Sequence, residues 1–138
     1  MISTIKIKLV WGAFAEAPWE AEVEINEGTT LSELHLIIQD VVEFDNDHMF
    51  EFFIARTENS DPVIRYECDS PAPDATNLMA IFRNLDGKKL FYHFDYGDDW
   101  LFQIAKSRKK SFEALKGGKY PHVVKEEGAK PIQYPDFD

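Results

Sequence analysis

His93, Asp95, Asp98 and Asp99 form the densest group of ionisable side chains beside a turn in this sequence. Three carboxylates and an imidazole within seven residues have the chemistry to bind a hard cation or to run acid–base hydrolysis. Gly-Asp-Asp is also ordinary turn chemistry, because Asp side chains bond nearby backbone and tolerate tight angles. No second segment supplies a nucleophile or an oriented base, so the turn reading outweighs the catalytic one. The other chemistry-bearing residues are weaker still. Cys68 has no motif around it to activate a thiolate, and His122 has no partner at metal-ligand spacing. Asp45-x-Asp47 opens like a calcium loop but lacks the glycine at the sixth position and the glutamate at the twelfth. These residues lead to no metal site and no cofactor.

The element that must position the quartet runs from Leu90 to Ile104 and reads as a β-hairpin. A two-residue Gly97-Asp98 loop would pair Asp95 with Trp100 and His93 with Phe102, mixing polar and aromatic side chains on one face. A three-residue Gly97-Asp98-Asp99 loop pairs Tyr96 with Trp100, Phe94 with Phe102 and Tyr92 with Ile104. This register gives one aromatic face and puts His93, Asp95 and Gln103 on the other, so it is preferred.

Upstream, Ile5, Ile7, Leu9 and Trp11 alternate with Lys6, Lys8 and Val10, the period of a half-buried strand. Trp19, Ala21, Val23 and Ile25 alternate with Glu20, Glu22 and Glu24. Antiparallel pairing would set the lysines among the glutamates on a wet face. Thr30-Leu31-Ser32-Glu33 is a capping box, followed by Leu31, Leu34, Ile38, Val41 and Val42 at helical spacing, with His35 flanking the stripe. Asp45-Asn46-Asp47 ends the helix, and Phe50, Phe52 and Ile54 share one face of a third strand. A hairpin, a helix and a strand in this order predict a β-grasp-like core, with the third strand parallel to the first and beside it. Val63–Tyr66 reads as a short edge strand, residues 69–74 as a proline-broken loop, and Thr76 as the cap of a short helix. From Tyr120 onward, prolines 121, 131 and 135 predict an irregular tail. The expected class is α+β, in one domain over residues 1–138.

Composition narrows the function. The chain has 25 acidic and 15 basic residues, for a net charge of -10. Residues 12–75 alone carry 16 acidic and 2 basic side chains, whereas residues 106–130 carry 8 basic and 3 acidic. An acidic first half and a basic late segment give complementary patches for a protein partner or for self-association. An apolar content of 44% excludes wholesale disorder. A lone cysteine excludes an internal disulfide and fits a reducing compartment. No run of 18 apolar residues exists, so neither a membrane span nor a signal peptide is expected, and the expected location is cytoplasmic.

The segment Phe94-Asp95-Tyr96-Gly97-Asp98-Asp99-Trp100, with Tyr92 before it and Ile104 after it, resembles the Tyr-Asp-Phe-Gly-Asp-Asp-Trp signature of the Ri-plasmid ORF-three-like family. His48-Met49-Phe50-Glu51-Phe52 is similar to that family's strand after its helix. Tyr120-Pro121 and Gly128-Ala129-Lys130-Pro131 are similar to its closing segment. The resemblance implies a domain linked to plasmids or insertion elements and carries no known reaction. Family members commonly place a histidine where Phe102 stands and cysteines where Val123 and Lys130 stand. One histidine and two cysteines could build a soft metal site, so the resemblance implies that any such site is lost here.

Three functions are weighed on these residues. A non-catalytic protein-interaction module is preferred, with Tyr96, Asp98, Asp99 and Trp100 and the basic Lys106, Arg108, Lys109 and Lys110 as candidate binding residues. A metal-assisted hydrolase using His93, Asp95, Asp98 and Asp99 is the first alternative. Weak nucleic-acid binding through residues 106–110 is the second, disfavoured by the net charge and by the lack of a helix-turn-helix or zinc-finger pattern.

Overall fold

In the computed structural model, which describes residues 1–135, the lysine–glutamate alternation resolves into an antiparallel pair. Strand β1 (Ile2–Trp11) pairs with β2 (Glu20–Asn26), setting Lys6 opposite Glu22 and Lys8 opposite Glu20. Ile5, Ile7, Ala21, Val23 and Ile25 are buried on the other face. Helix α1 (Leu31–Val42) starts at the capping box: the Thr30 hydroxyl accepts from the Glu33 N–H, and Glu33 accepts from the Thr30 N–H at 3.0 Å. It ends at Glu43, which takes a left-handed φ of 60°.

Strand β3 (Phe50–Ala55) follows, then β4 (Ile64–Glu67), α2 (Ala72–Ala75) and α3 (Leu78–Arg83). β5 (Lys89–Phe94) and β6 (Trp100–Lys106) form the long hairpin, and β7 (His122–Glu127) closes the series. All seven strands join one sheet in the order β4-β3-β5-β6-β1-β2-β7. Every neighbouring pair is antiparallel.

This order corrects the β-grasp expectation. β3 does not lie beside β1; the β5–β6 hairpin stands between them. The cause is the two-sided apolar character of that hairpin. Leu90, Phe91 and Tyr92 are consecutive and all fully buried, which suits a strand flanked by neighbours on both sides rather than one at an edge. The fold is therefore a mixed α and β structure dominated by an antiparallel sheet.

Three local expectations also change. Residues 72–75 form a helical turn that overlaps the end of the predicted loop, because proline is tolerated in a first helical turn. Asn77, not Thr76, caps α3 through its side chain and the Ala80 N–H. The predicted tail contains β7, which adds to the free edge of β2 with Lys125 opposite Glu22. The Trp19 indole N–H donates to Glu126 at 2.8 Å and helps hold it there.

α1 and α3 cover one face of the sheet, where they join the main hydrophobic cluster with Phe52, Tyr92, Phe94, Trp100 and Phe102. His35, expected only to flank the helical stripe, lies inside this core. Its ring stacks on Phe50 with centroids 3.7 Å apart, while Nδ1 meets the Tyr92 hydroxyl and Nε2 meets Asn46 Oδ1, both at 2.6 Å. Gln39 donates to the same Tyr92 hydroxyl at 3.0 Å. The hydroxyl then donates to Nδ1 and the Nε2–H donates to Asn46, an arrangement that uses neutral imidazole. Burial holds the His35 pKa below its ordinary 6.5. Below that pH the unfolded chain takes up a proton at His35 that the folded chain refuses, so this group's share of stability falls as pH falls from about 6.5. An NMR titration of the His35 ring is expected to give a midpoint under 6.5, and a midpoint above it would contradict this network.

Candidate functional site

The β5–β6 hairpin sorts its side chains as expected but in a different register. Phe94 pairs with Trp100 and Tyr92 with Phe102, a slip of two residues from the expected pairing. A slip of two keeps every side chain on its face, so the aromatic face survives. Tyr96 does not: it belongs to a five-residue loop, Asp95–Asp99, and is exposed. Asp95 builds this loop. It adopts a φ of 62°, its Oδ1 accepts from the N–H groups of Gly97 and Asp98, and its carbonyl accepts from Asp99 at 2.6 Å.

The loop splits the quartet. Asp95 is buried, with Oδ2 lying 3.4 Å from His48 Nε2. His48 packs edge-on against Phe94, a residue of the helix-covered face. The backbone carbonyl of Asp98 accepts from the Ala13 N–H, tying the loop to the end of β1. Only His93 and Asp99 meet, with Nε2 donating to Oδ1 at 2.8 Å. The other ring nitrogen of His93, Nδ1, lies 3.9 Å from Glu51 Oε1, and Glu51 is paired to Arg65 at 2.7 Å. Tyr96 lies over the imidazole with centroids 4.9 Å apart. Desolvation, with the Glu51 charge second, pushes the Tyr96 hydroxyl up to about 12. Both nitrogens of His93 therefore face carboxylates, and neither is aimed outward as a general base. Among the described residues, no three or more His, Cys, Asp or Glu side chains gather to hold a metal ion. Phe102, where the resemblance led to an expected histidine in relatives, is fully buried in the core.

The basic candidates leave the far end of β6. Lys106, Arg108, Lys109 and Lys110 are exposed, and Lys109 Nζ lies 3.6 Å from Glu22. Buried Ser107 shapes the turn, its hydroxyl accepting from the Lys109 N–H. Trp100 is fully buried and presents nothing to a partner.

What the sequence reading missed is the face opposite the helices. Leu9 pairs with Phe102 but Trp11 pairs with Leu101, so β1 spends two residues against one of β6. Val10 is the extra residue of a β-bulge, a device that re-aims side chains. Strict alternation would bury Trp11 with Ile5, Ile7 and Leu9. The bulge instead turns it onto the open face, 54% exposed. There Val10, Trp11, Phe53 and Leu101 line a hollow of about 390 Å³ with Glu58, Asn59, His93 and Asp99. Phe91 and Ala55 lie buried beneath Phe53, and neither α1 nor α3 contributes to this second cluster.

The sequence model of the plasmid pRiA4b ORF-3-like proteins matches residues 3–134. The chain belongs to that family. Among solved structures, this ORF-3-like chain is similar to the crystal structure of MM3350, a protein of unknown function from Methanosarcina mazei Go1. That likeness has a TM-score of 0.72 at 17% identity and covers 94% of this chain and 70% of the other. At that identity the likeness concerns the ORF-3-like fold alone. No curated protein matches the chain significantly. Among the described residues, no helix is long and apolar enough to cross a membrane.

Proposed function

We propose that this ORF-3-like chain is a non-catalytic protein-interaction module that acts as one unit over residues 1–138 and binds its partner in the open-face hollow. The observation that carries the reading is Trp11, a large aromatic turned out of the core by a bulge onto an apolar patch with a polar rim. Apolar patches of this kind mark interaction surfaces on soluble proteins, and tryptophan dominates the energetics of many interfaces. The dispersal of His93, Asp95, Asp98 and Asp99 supports the same reading, since the hydrolase alternative needs them together. Cys68, the one cysteine, suits a cytoplasmic setting where thiols stay reduced. The plasmid reading frame in the family's description supports a link to mobile elements.

The test starts from peptides selected by display on the immobilised protein. Such peptides are expected to lose at least tenfold in affinity on Trp11→Ala, while the melting temperature stays unchanged because the side chain is exposed. Selected peptides that ignore Trp11, or a turnover activity that dies on Asp99→Asn with folding intact, would overturn the proposal.

A further inference from the structure

The lining of the hollow specifies the chemistry of what enters it, given that the hollow is the binding surface proposed above. Its floor is apolar, from Val10, Phe53 and Leu101, and its charged groups are the carboxylates of Glu58 and Asp99 beside His93. Among the described residues, no lysine or arginine lines it. Glu51, which faces His93, is already closed as an ion pair with Arg65 at 2.7 Å. Asp99 keeps 45% of its side chain exposed, and its Oδ1 is the atom engaged by His93, which leaves Oδ2 to accept from a second donor. Trp11 offers the face of an indole.

We infer that the hollow receives an arginine or lysine side chain from a segment of a partner protein. The aliphatic stem of such a residue packs on Val10, Phe53 and Leu101, as long cationic side chains do on apolar surface. Its charged head lies on the indole of Trp11, where the ring quadrupole attracts cations, and between Asp99 and Glu58. The rest of the molecule favours the same sign. A chain of net charge -10 attracts a basic partner and repels a second copy of itself. Its own basic turn at 106–110 leaves the opposite end of β6 from the hollow.

Intrinsic fluorescence reads this site directly, because Trp19 and Trp100 are buried and Trp11 is the exposed indole among the three. Blocked pentapeptides of glycine with a central arginine, lysine, citrulline, leucine or glutamate provide the probes. The arginine and lysine peptides are expected to change Trp11 emission saturably, and citrulline, the uncharged isostere of arginine, to bind at least tenfold more weakly. Asp99→Asn and Glu58→Gln are each expected to weaken arginine-peptide binding about two- to fivefold, the range for an exposed charge pair, and added salt to weaken it further. Citrulline or leucine binding as tightly as arginine, and lost on Trp11→Ala, would overturn the cationic assignment and leave the interaction surface standing. If no peptide perturbs Trp11, and display-selected binders ignore it too, both proposals fall. Concentration-dependent self-association that quenches Trp11 and vanishes on neutralising residues 106–110 would replace the foreign partner with a second copy.

Discussion

Trp100→Ala is expected to lower the free energy of unfolding by about 3–5 kcal/mol, the range for truncating a large aromatic in a packed core. Trp100 opens β6 and is fully buried. Its ring centroid lies 5.0 Å from that of Phe44, and its cross-strand partner is Phe94. One rim of the hollow hangs from it, since Leu101 follows it directly and Asp99 precedes it. The indole N–H finds no acceptor among the described residues. A buried donor without a partner costs about 1–3 kcal/mol, which offsets part of what the ring contributes. Trp100→Phe removes that donor and keeps most of the apolar volume, so it is expected to cost less than half as much as Trp100→Ala. Urea denaturation followed by circular dichroism measures both. Equal losses for the two variants would contradict the unsatisfied indole, and a loss under about 1 kcal/mol for Trp100→Ala would contradict its role as an anchor.

What could be read in advance follows from which quantities are periodic. Side-chain parity in a strand depends only on counting by two, so the aromatic face of the 90–104 hairpin and the lysine–glutamate face of the first hairpin were legible. The loop length was not, because registers differing by two residues bury the same side chains. Deciding between them takes the backbone of Asp95, whose positive φ and three loop hydrogen bonds end β5 one residue before Asp95. The capping box at Thr30 is a local signal and placed α1 correctly. Strand order is not local. Nothing in residues 1–55 reports that the β5–β6 hairpin will enter between β1 and β3.

The hollow fell outside the sequence reading for the same reason. A bulge at Val10 is one unpaired residue, and it leaves the composition of the strand unchanged. The misleading feature was Trp11 itself, which continues the Ile5, Ile7, Leu9 series and reads as core. Of Asp95, Asp98 and Asp99, the carboxylates that stand out in the sequence, only Asp99 reaches the site, held by His93. His35 fell outside it too, because a histidine in a helical stripe declares itself as core only when its partners, Tyr92 and Asn46, arrive from elsewhere in the fold.

Gly12→Ala tests how the bulge and the core are joined. Gly12 is buried and has no positive φ, so an added methyl meets no backbone penalty and its effect is purely steric. A Cβ there would stand 2.6 Å from Cε3 and 2.9 Å from Cζ3 of Trp100. Both are far inside van der Waals contact, and the fully buried ring has nowhere to retreat. Overpacking of this kind costs about 1–3 kcal/mol. The residue before Gly12 is Trp11 and the residue after it is bonded to the Asp98 carbonyl, so relief by backbone movement would displace the indole and the Asp99 rim together. Gly12→Ala is therefore expected to weaken partner binding as well as stability, whereas Trp11→Ala weakens binding alone. A double-mutant cycle identifies the ring as the obstacle. In a Trp100→Phe background the benzo ring of the indole, which carries Cε3 and Cζ3, is gone, and Gly12→Ala is expected to cost less than in the parent. If the two losses simply add, the clash lies elsewhere and Gly12 is not the seat that Trp100 requires.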